Sequence, residues 1–298
     1  MTRMTAPAVA AAKGTRKLAM LTAYDYAAAR LAEAAGMDML LVGDSLAMVV
    51  LGHEDTLSVT MEEMLHHTRA VARGAEKALV VADMPFLSYQ VSVPEAVANA
   101  GRFLKEGRAG AVKLEGGREV VPQVRAMVAA GIPVLGHVGL TPQHVAALGG
   151  FKVQSRTAEA AADLLADAMA LAEAGCFGVV LECIPAPVAA AVTKALPVPT
   201  IGIGAGPDCD GQVLVFHDVL GLYDRFTPKF VKKYAALGKL AVEALTQYAE
   251  AVREGAFPGP EHVFGMSPDA EAAFLSKIDG RSAKVTDDND PTYRHGKR

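Results

Sequence analysis

Seven polar residues stand at the ends of short apolar runs: Asp44 and Ser45 after MLLVG, Asp83 after LVVA, Lys113 and Glu115 in AVKLE, His137 in PVLGHVG, and Glu182 after FGVVL. Apolar runs this short, bounded by glycine or charge, read as strands buried on both faces. Asp44 and Asp83 end consecutive strands, so their hard oxygens, with Glu115 from a third, suit an octahedral Mg²⁺ or similar divalent cation that keeps several waters. An Asp after a strand also serves as a helix cap or turn former, and the pairing of the two is what favours the metal reading. Period-two geometry puts Lys113 and Glu115 on one face, with Leu114 on the other. A lysine there needs an anion, either Glu115 or a substrate carboxylate. Ser45 and His137 occupy equivalent strand ends and can donate hydrogen bonds to the same ligand, though a satisfied core histidine explains His137 equally well. Glu182 closes an otherwise apolar strand, where partial desolvation raises a carboxyl toward the range of a general base. A metal chelated by the adjacent carbonyl and carboxylate oxygens of a 2-oxo acid stabilises the enolate left when such a base removes the neighbouring proton. Nothing in these residues names the electrophile.

The elements that position them repeat as helix, glycine, strand. Thr60 with Glu63 and Ser92 with Glu95 match capping boxes, Thr157 caps a longer helix, and Gly36, Gly74 and Gly107 mark helix ends. The first strand is read over Lys17 to Tyr24, the seventh in PTIGIGAG and the eighth in QVLVFHDV. Eight such units predict a single (β/α)8 barrel, whose chemistry gathers at the C-terminal strand ends. The expected organisation is an N-terminal lead-in over 1–16, a barrel with a C-terminal helix over 17–265, and a polar, disordered tail over 266–298. The helix is read between Pro228 and Glu254, packed on the barrel or on a partner subunit. Gly202, Gly204 and Gly206 are spaced for a tight turn and not for a dinucleotide fingerprint.

A formal net charge of -4 with no basic stripe excludes a nucleic-acid partner, and no run is long enough for a membrane span. Three cysteines form no CxxC pair, which fits a reducing cytoplasm. Cys176 and Cys183 read as core residues and Cys209 as a loop thiol.

The runs LTAYDYAAARL, LLVGDSLAMVVLGHEDTLSVTMEEM, VVADMPFLSY, VKLEGG, VLGHVGLTPQ, GGFKVQ, VLECIP and GIGAGPDCDGQVLVFHDVLG resemble the ketopantoate hydroxymethyltransferase family from Lys17 to Gly265. The resemblance implies a TIM barrel of the phosphoenolpyruvate/pyruvate-type superfamily that moves a one-carbon unit from 5,10-methylenetetrahydrofolate onto 3-methyl-2-oxobutanoate. By matched motif, Asp44 and Asp83 are Mg²⁺ ligands and Glu115 an outer or water-mediated one. Ser45, Asp83, Lys113 and His137 contact the 2-oxo acid, and Glu182 is the base. Family members are homo-oligomers, often decamers, so a homodecamer is expected. Ala47, Leu51 and Ser155 depart from the pattern in loops. A metal-dependent lyase of the same superfamily needs a Cys-Gly-His type loop after the lysine strand, where this chain reads Glu115-Gly116-Gly117. A non-catalytic binding barrel would leave the polar mouth without a role.

Overall fold

The computed structural model describes residues 3–287, and the chain divides into two compact units, Met1–Lys239 and Leu240–Arg298. In the first, eight parallel strands close into a barrel in chain order. They are β1 Leu18–Thr22, β2 Met39–Val42, β3 Leu79–Asp83, β4 Ala111–Glu115, β5 Val134–Gly139, β6 Gly178–Glu182, β7 Thr200–Ile203 and β8 Gly211–Leu214, with β8 pairing back onto β1.

Alternation along each strand sorts the side chains into two clusters. Met20, Met39, Leu41, Leu79, Val81, Ala111, Leu135, Val180, Ile201 and Val213 pack together inside the barrel. Leu40, Val42, Val80, Val112, Leu114, Val134, Val179 and Leu181 point outward to the helices. Asp83 continues the inward series of Leu79 and Val81, and Lys113 and Glu115 continue that of Ala111. The chemical residues are thus the top layer of the inner core.

Helix ends follow the sequence signals closely. Thr60 and Glu63 form the reciprocal capping box that opens Met61–Gly74, and Ser92 and Thr157 accept from Glu95 N and Ala160 N as N-caps. The predicted lead-in is instead part of the barrel's core, because Ala6, Val9 and Ala12 of a short helix, Ala6–Ala11, and its cap join the inner cluster. The eighth strand is also shorter than predicted. It stops at Leu214, and FHDVL forms a helix, Phe216–Leu220, whose first amide donates to Thr22 Oγ1 at 2.8 Å.

Helix begins at Leu237, not at Pro228, and Leu237–Arg253 buries none of its residues. The polar segment expected to be disordered is helical over Pro268–Asp287, where Ala, Glu, Leu and Lys outweigh the lack of anything to bury. Its last residues, 288–298, lie outside the described part. Among the described residues no helix is long and apolar enough to cross a membrane.

Candidate active site

Register and period together bring the predicted residues to one place. Asp83 pairs with Lys113 across β3 and β4, Glu115 with His137 across β4 and β5, and Gly139 with Glu182 across β5 and β6. Lys113 Nζ lies 2.6 Å from Asp83 Oδ1. His137 Nδ1 is 3.4 Å from Glu115 Oε1, and its Nε2 is 3.2 Å from Glu182 Oε2. Asp44 N donates to Asp83 Oδ2 at 3.2 Å, and Ser45 Oγ is 2.9 Å from Tyr24 Oη. All seven predicted residues line one cavity of about 360 Å³ at the C-terminal ends of the strands. Two glycines make the close packing possible. A Cβ on Gly43 would stand 2.8 Å from Ser45 Oγ, and one on Gly139, where φ is +100°, only 2.3 Å from the Glu182 carbonyl.

Sequence reasoning missed the residues that hold this set from behind. Gln143 Nε2 donates to Asp44 Oδ2 and to Met84 O, both at 2.9 Å, while its backbone N–H donates to Glu115 Oε2 at 3.0 Å. Tyr89 Oη donates to Gln143 Oε1 at 2.8 Å and accepts from Glu115 N at 3.2 Å. Tyr89 and Gln143 are both buried. Their only sequence signal was membership in the matched runs VVADMPFLSY and VLGHVGLTPQ.

The electrostatics are out of balance. Burial, then Asp83 and Glu115, push the Asp44 carboxyl well above its ordinary range, and burial raises Asp83 against the pull of Lys113. Burial also opposes ionisation of Glu115, but His137 and Lys113 outweigh it and the carboxyl is held low. Burial and Lys113 oppose a charge on His137, yet Glu115 and Glu182 carry its pKa up to about 9. With the ring protonated, Nδ1–H points to Glu115. It cannot also accept from Lys113 Nζ, 3.2 Å away, whose charge lies against Asp83. The apolar setting predicted for Glu182 therefore contains a cationic neighbour.

Four carboxyls, Asp44, Asp83, Glu115 and Glu182, face only two cations, Lys113 and His137. A divalent cation would balance the two charges left over. Asp83 Oδ1, buried and 2.6 Å from Lys113, has no aligned hydrogen bond, which leaves it a direction toward a ligand. The donor chemistry fits Mg²⁺ at Asp44 and Asp83. Both Glu115 oxygens are engaged, by His137 and by the Gln143 amide, which sets this residue one layer back. Among the described residues no three His, Cys, Asp or Glu side chains form a ready ion cage.

One cysteine differs from its predicted setting. Cys183 does not turn into the core. Its backbone is left-handed, φ 49°, and it lines the cavity beside Glu182, with its thiol pushed up to about 12 by burial and by that carboxylate. Cys209 does lie in a loop, the connection between β7 and β8, but is wholly buried there.

Comparison with known proteins agrees with this architecture. The family model for ketopantoate hydroxymethyltransferase matches residues 3–260. A 3-methyl-2-oxobutanoate hydroxymethyltransferase of Syntrophobacter fumaroxidans is 70% identical over 94% of this chain and 99% of its own. One from Oleidesulfovibrio alaskensis is 62% identical over 93% and 96%. Among solved structures, a phosphonopyruvate hydrolase aligns with a TM-score of 0.57 at 16% identity, covering 96% of this chain and 99% of its own. A 2,3-dimethylmalate lyase of the PEP mutase/isocitrate lyase superfamily aligns at 0.56 and 17%, over 96% and 99%. These structural likenesses establish the shared barrel.

Proposed function

The chain belongs to the ketopantoate hydroxymethyltransferase family, and from that premise we propose how its barrel mouth moves a hydroxymethyl group onto 3-methyl-2-oxobutanoate. Asp44 and Asp83 hold Mg²⁺ or another divalent cation, with Glu115 as an outer partner. When bound, that ion acts as a Lewis acid toward the carbonyl and carboxylate oxygens of the 2-oxo acid. Lys113, whose charge burial opposes but Asp83, Glu115 and Asp44 uphold, binds the substrate carboxylate, and Ser45, braced by Tyr24, donates a hydrogen bond beside it.

Glu182 takes the proton from C3. The protonated His137 at 3.2 Å orients the carboxylate. His137 is in turn fixed by Glu115, so the base belongs to a chain of charges that the strand register assembles. The C3 carbanion then forms a bond to the one-carbon unit of 5,10-methylenetetrahydrofolate. Both C–N bonds of the methylene bridge break, one as C3 bonds to the one-carbon unit and the other as water supplies the hydroxyl; the two folate nitrogens take up the proton removed from C3 and one from that water, and 2-dehydropantoate and tetrahydrofolate leave. The same proposal places the enzyme in the cytoplasm, where its three free thiols stay reduced, and assembles it as a homo-oligomer. Light scattering that finds a monomer would remove the assembly.

The observation that carries this reading is the juxtaposition of the Glu182–His137 pair with the two strand-end aspartates in one cavity. Enolate formation precedes carbon–carbon bond formation, so deuterium should wash into C3 of 3-methyl-2-oxobutanoate with folate omitted. Glu182→Gln keeps the shape and removes the base. Exchange and transfer should both fall by about 10²-fold or more. Exchange at the wild-type rate with transfer lost would take the role of base from Glu182.

A further inference from the structure

The same cavity is lined by a further carboxylate that the mechanism does not use. Asp218 sits on the helix Phe216–Leu220, directly after β8, buried yet lining the cavity wall. Among the described residues its carboxylate makes no hydrogen bond and no ion pair, and burial raises its pKa against the opposing charge of Lys233. Its placement is rigid. Phe216 N is tied to Thr22 Oγ1 at 2.8 Å, the rings of His217 and Tyr24 lie 5.5 Å apart, and Gly221 ends the helix in the left-handed conformation. A largely buried carboxylate with no protein donor on it presents its acceptor sites to whatever molecule fills the cavity.

The rest of the chamber indicates what that ligand looks like. Tyr223, Phe226 and Phe230 give it an aromatic wall, and Lys152 and Lys229 stand at its rim. Together the lining offers a carboxylate acceptor pair, an apolar and aromatic surface, and positive charge. The complementary molecule has a pair of adjacent N–H donors on one edge, a planar heteroaromatic body, and an anionic tail.

We propose that Asp218 is the pterin anchor of this enzyme: its two oxygens accept from the ring N3–H and the 2-amino group of the reduced folate. Lys152 and Lys229 meet the glutamate tail. The inference rests on the folate reading above, since it assigns residues to that co-substrate. A bidentate contact between a carboxylate and a flat amino-amide edge fixes orientation as well as affinity. It holds the one-carbon unit on the β8 and β1 side of the mouth, beside Ser45, while the 2-oxo acid occupies the β2 to β6 side.

The test separates the two substrates. In Asp218→Asn, KM for 5,10-methylenetetrahydrofolate should rise at least tenfold with kcat within about threefold, because one acceptor of the pair becomes a donor facing a donor. Folate-free deuterium exchange at C3 should stay within twofold, which also reports that the barrel is folded. Binding of 6-methyltetrahydropterin, which has the ring and no tail, should weaken tenfold or more in Asp218→Asn, and should be unaffected by Lys152→Gln with Lys229→Gln. The double lysine variant should weaken tetrahydrofolate three- to tenfold. An unchanged KM, or pterin binding that ignores Asp218, overturns the assignment. Loss of exchange in parallel with transfer also overturns it, since Asp218 would then serve the 2-oxo acid or the fold. Wild-type protein that binds the pterin through Asp218 yet exchanges no C3 proton leaves the pterin site standing and removes the enolate reading.

Discussion

The two ends of the barrel each hold a lysine against a buried aspartate, and they use the pair in opposite ways. At the N-terminal end, Asp210 Oδ2 meets Lys13 Nζ at 2.8 Å and accepts from Thr200 N at 2.9 Å, while Oδ1 accepts from Gly14 N at 3.2 Å. Burial disfavours its charge, but Lys13 and these amides outweigh that and hold the carboxyl below its ordinary range. At the mouth, Lys113 and Asp83 are closer, at 2.6 Å, yet Asp83 Oδ1 lacks an aligned hydrogen bond and Asp44 nearby is pushed well up. The floor is electrically complete and the mouth is not. A satisfied ion pair stabilises a fold, whereas an unsatisfied one stores binding capacity for a ligand that arrives later.

The sharpest way to break this contrast is to remove the incompleteness itself. Asp83→Asn keeps the shape of the side chain and loses one of the two proposed metal carboxylates. Transfer should drop by about 10²-fold or more, and activity should no longer respond to chelator or added Mg²⁺, whereas chelation should silence the wild type. Full wild-type activity in chelator would reject the metal reading. A smaller loss should follow from disturbing the support. Gln143→Leu removes the donors to Asp44 Oδ2 and Met84 O and the acceptor of Tyr89 Oη. Turnover should fall about tenfold, as for residues behind a metal site, with higher Mg²⁺ required for half-maximal rate. An unaltered Mg²⁺ requirement would assign Gln143 to packing alone.

The smallest effect on chemistry should come from the floor. Asp210→Asn should cost about 1–2 kcal/mol of stability and leave kcat unchanged. Because the folded carboxyl titrates below its unfolded value of about 3.9, the wild-type latch is fully present above that pH. Its contribution fades as pH falls through the lowered folded value. Denaturation followed between pH 7 and 3 should therefore show the gap between wild type and Asp210→Asn closing toward acid. A constant gap would mean the charge of Asp210 is irrelevant.

Much of this was legible in the chain. Each buried strand announced itself as a short apolar run, and the period of two was enough to put Lys113 and Glu115 on one face. Asp44, Asp83 and Glu182 were visible because a charge at the end of such a run is conspicuous. Register was not visible. Which carboxylate meets which cation depends on how neighbouring strands slide, so the contacts of Lys113 with Asp83 and of His137 with Glu182 came only with the fold. Gln143 was hidden for another reason: a neutral amide in a Pro-containing turn looks like any loop residue, and its value lies in partners distant in sequence, Asp44, Met84, Tyr89 and Glu115. The misread eighth strand has a similar cause, since VLVFHDVL is apolar enough for either structure. The tie from Phe216 N to Thr22, far away in sequence, accompanies the start of the helix there.

The shared inward face of the strands has a consequence for how such an enzyme can change over time. Lys113 and Glu115 reach the mouth only because they stand two and four residues after Ala111 in the same pleat. One residue gained or lost below them would send both toward the helices and bring Leu114 inward. Length variation is therefore confined to the connecting segments, and new chemistry has to be written by substitution in the top layer, one side chain at a time, over a barrel interior that stays in frame.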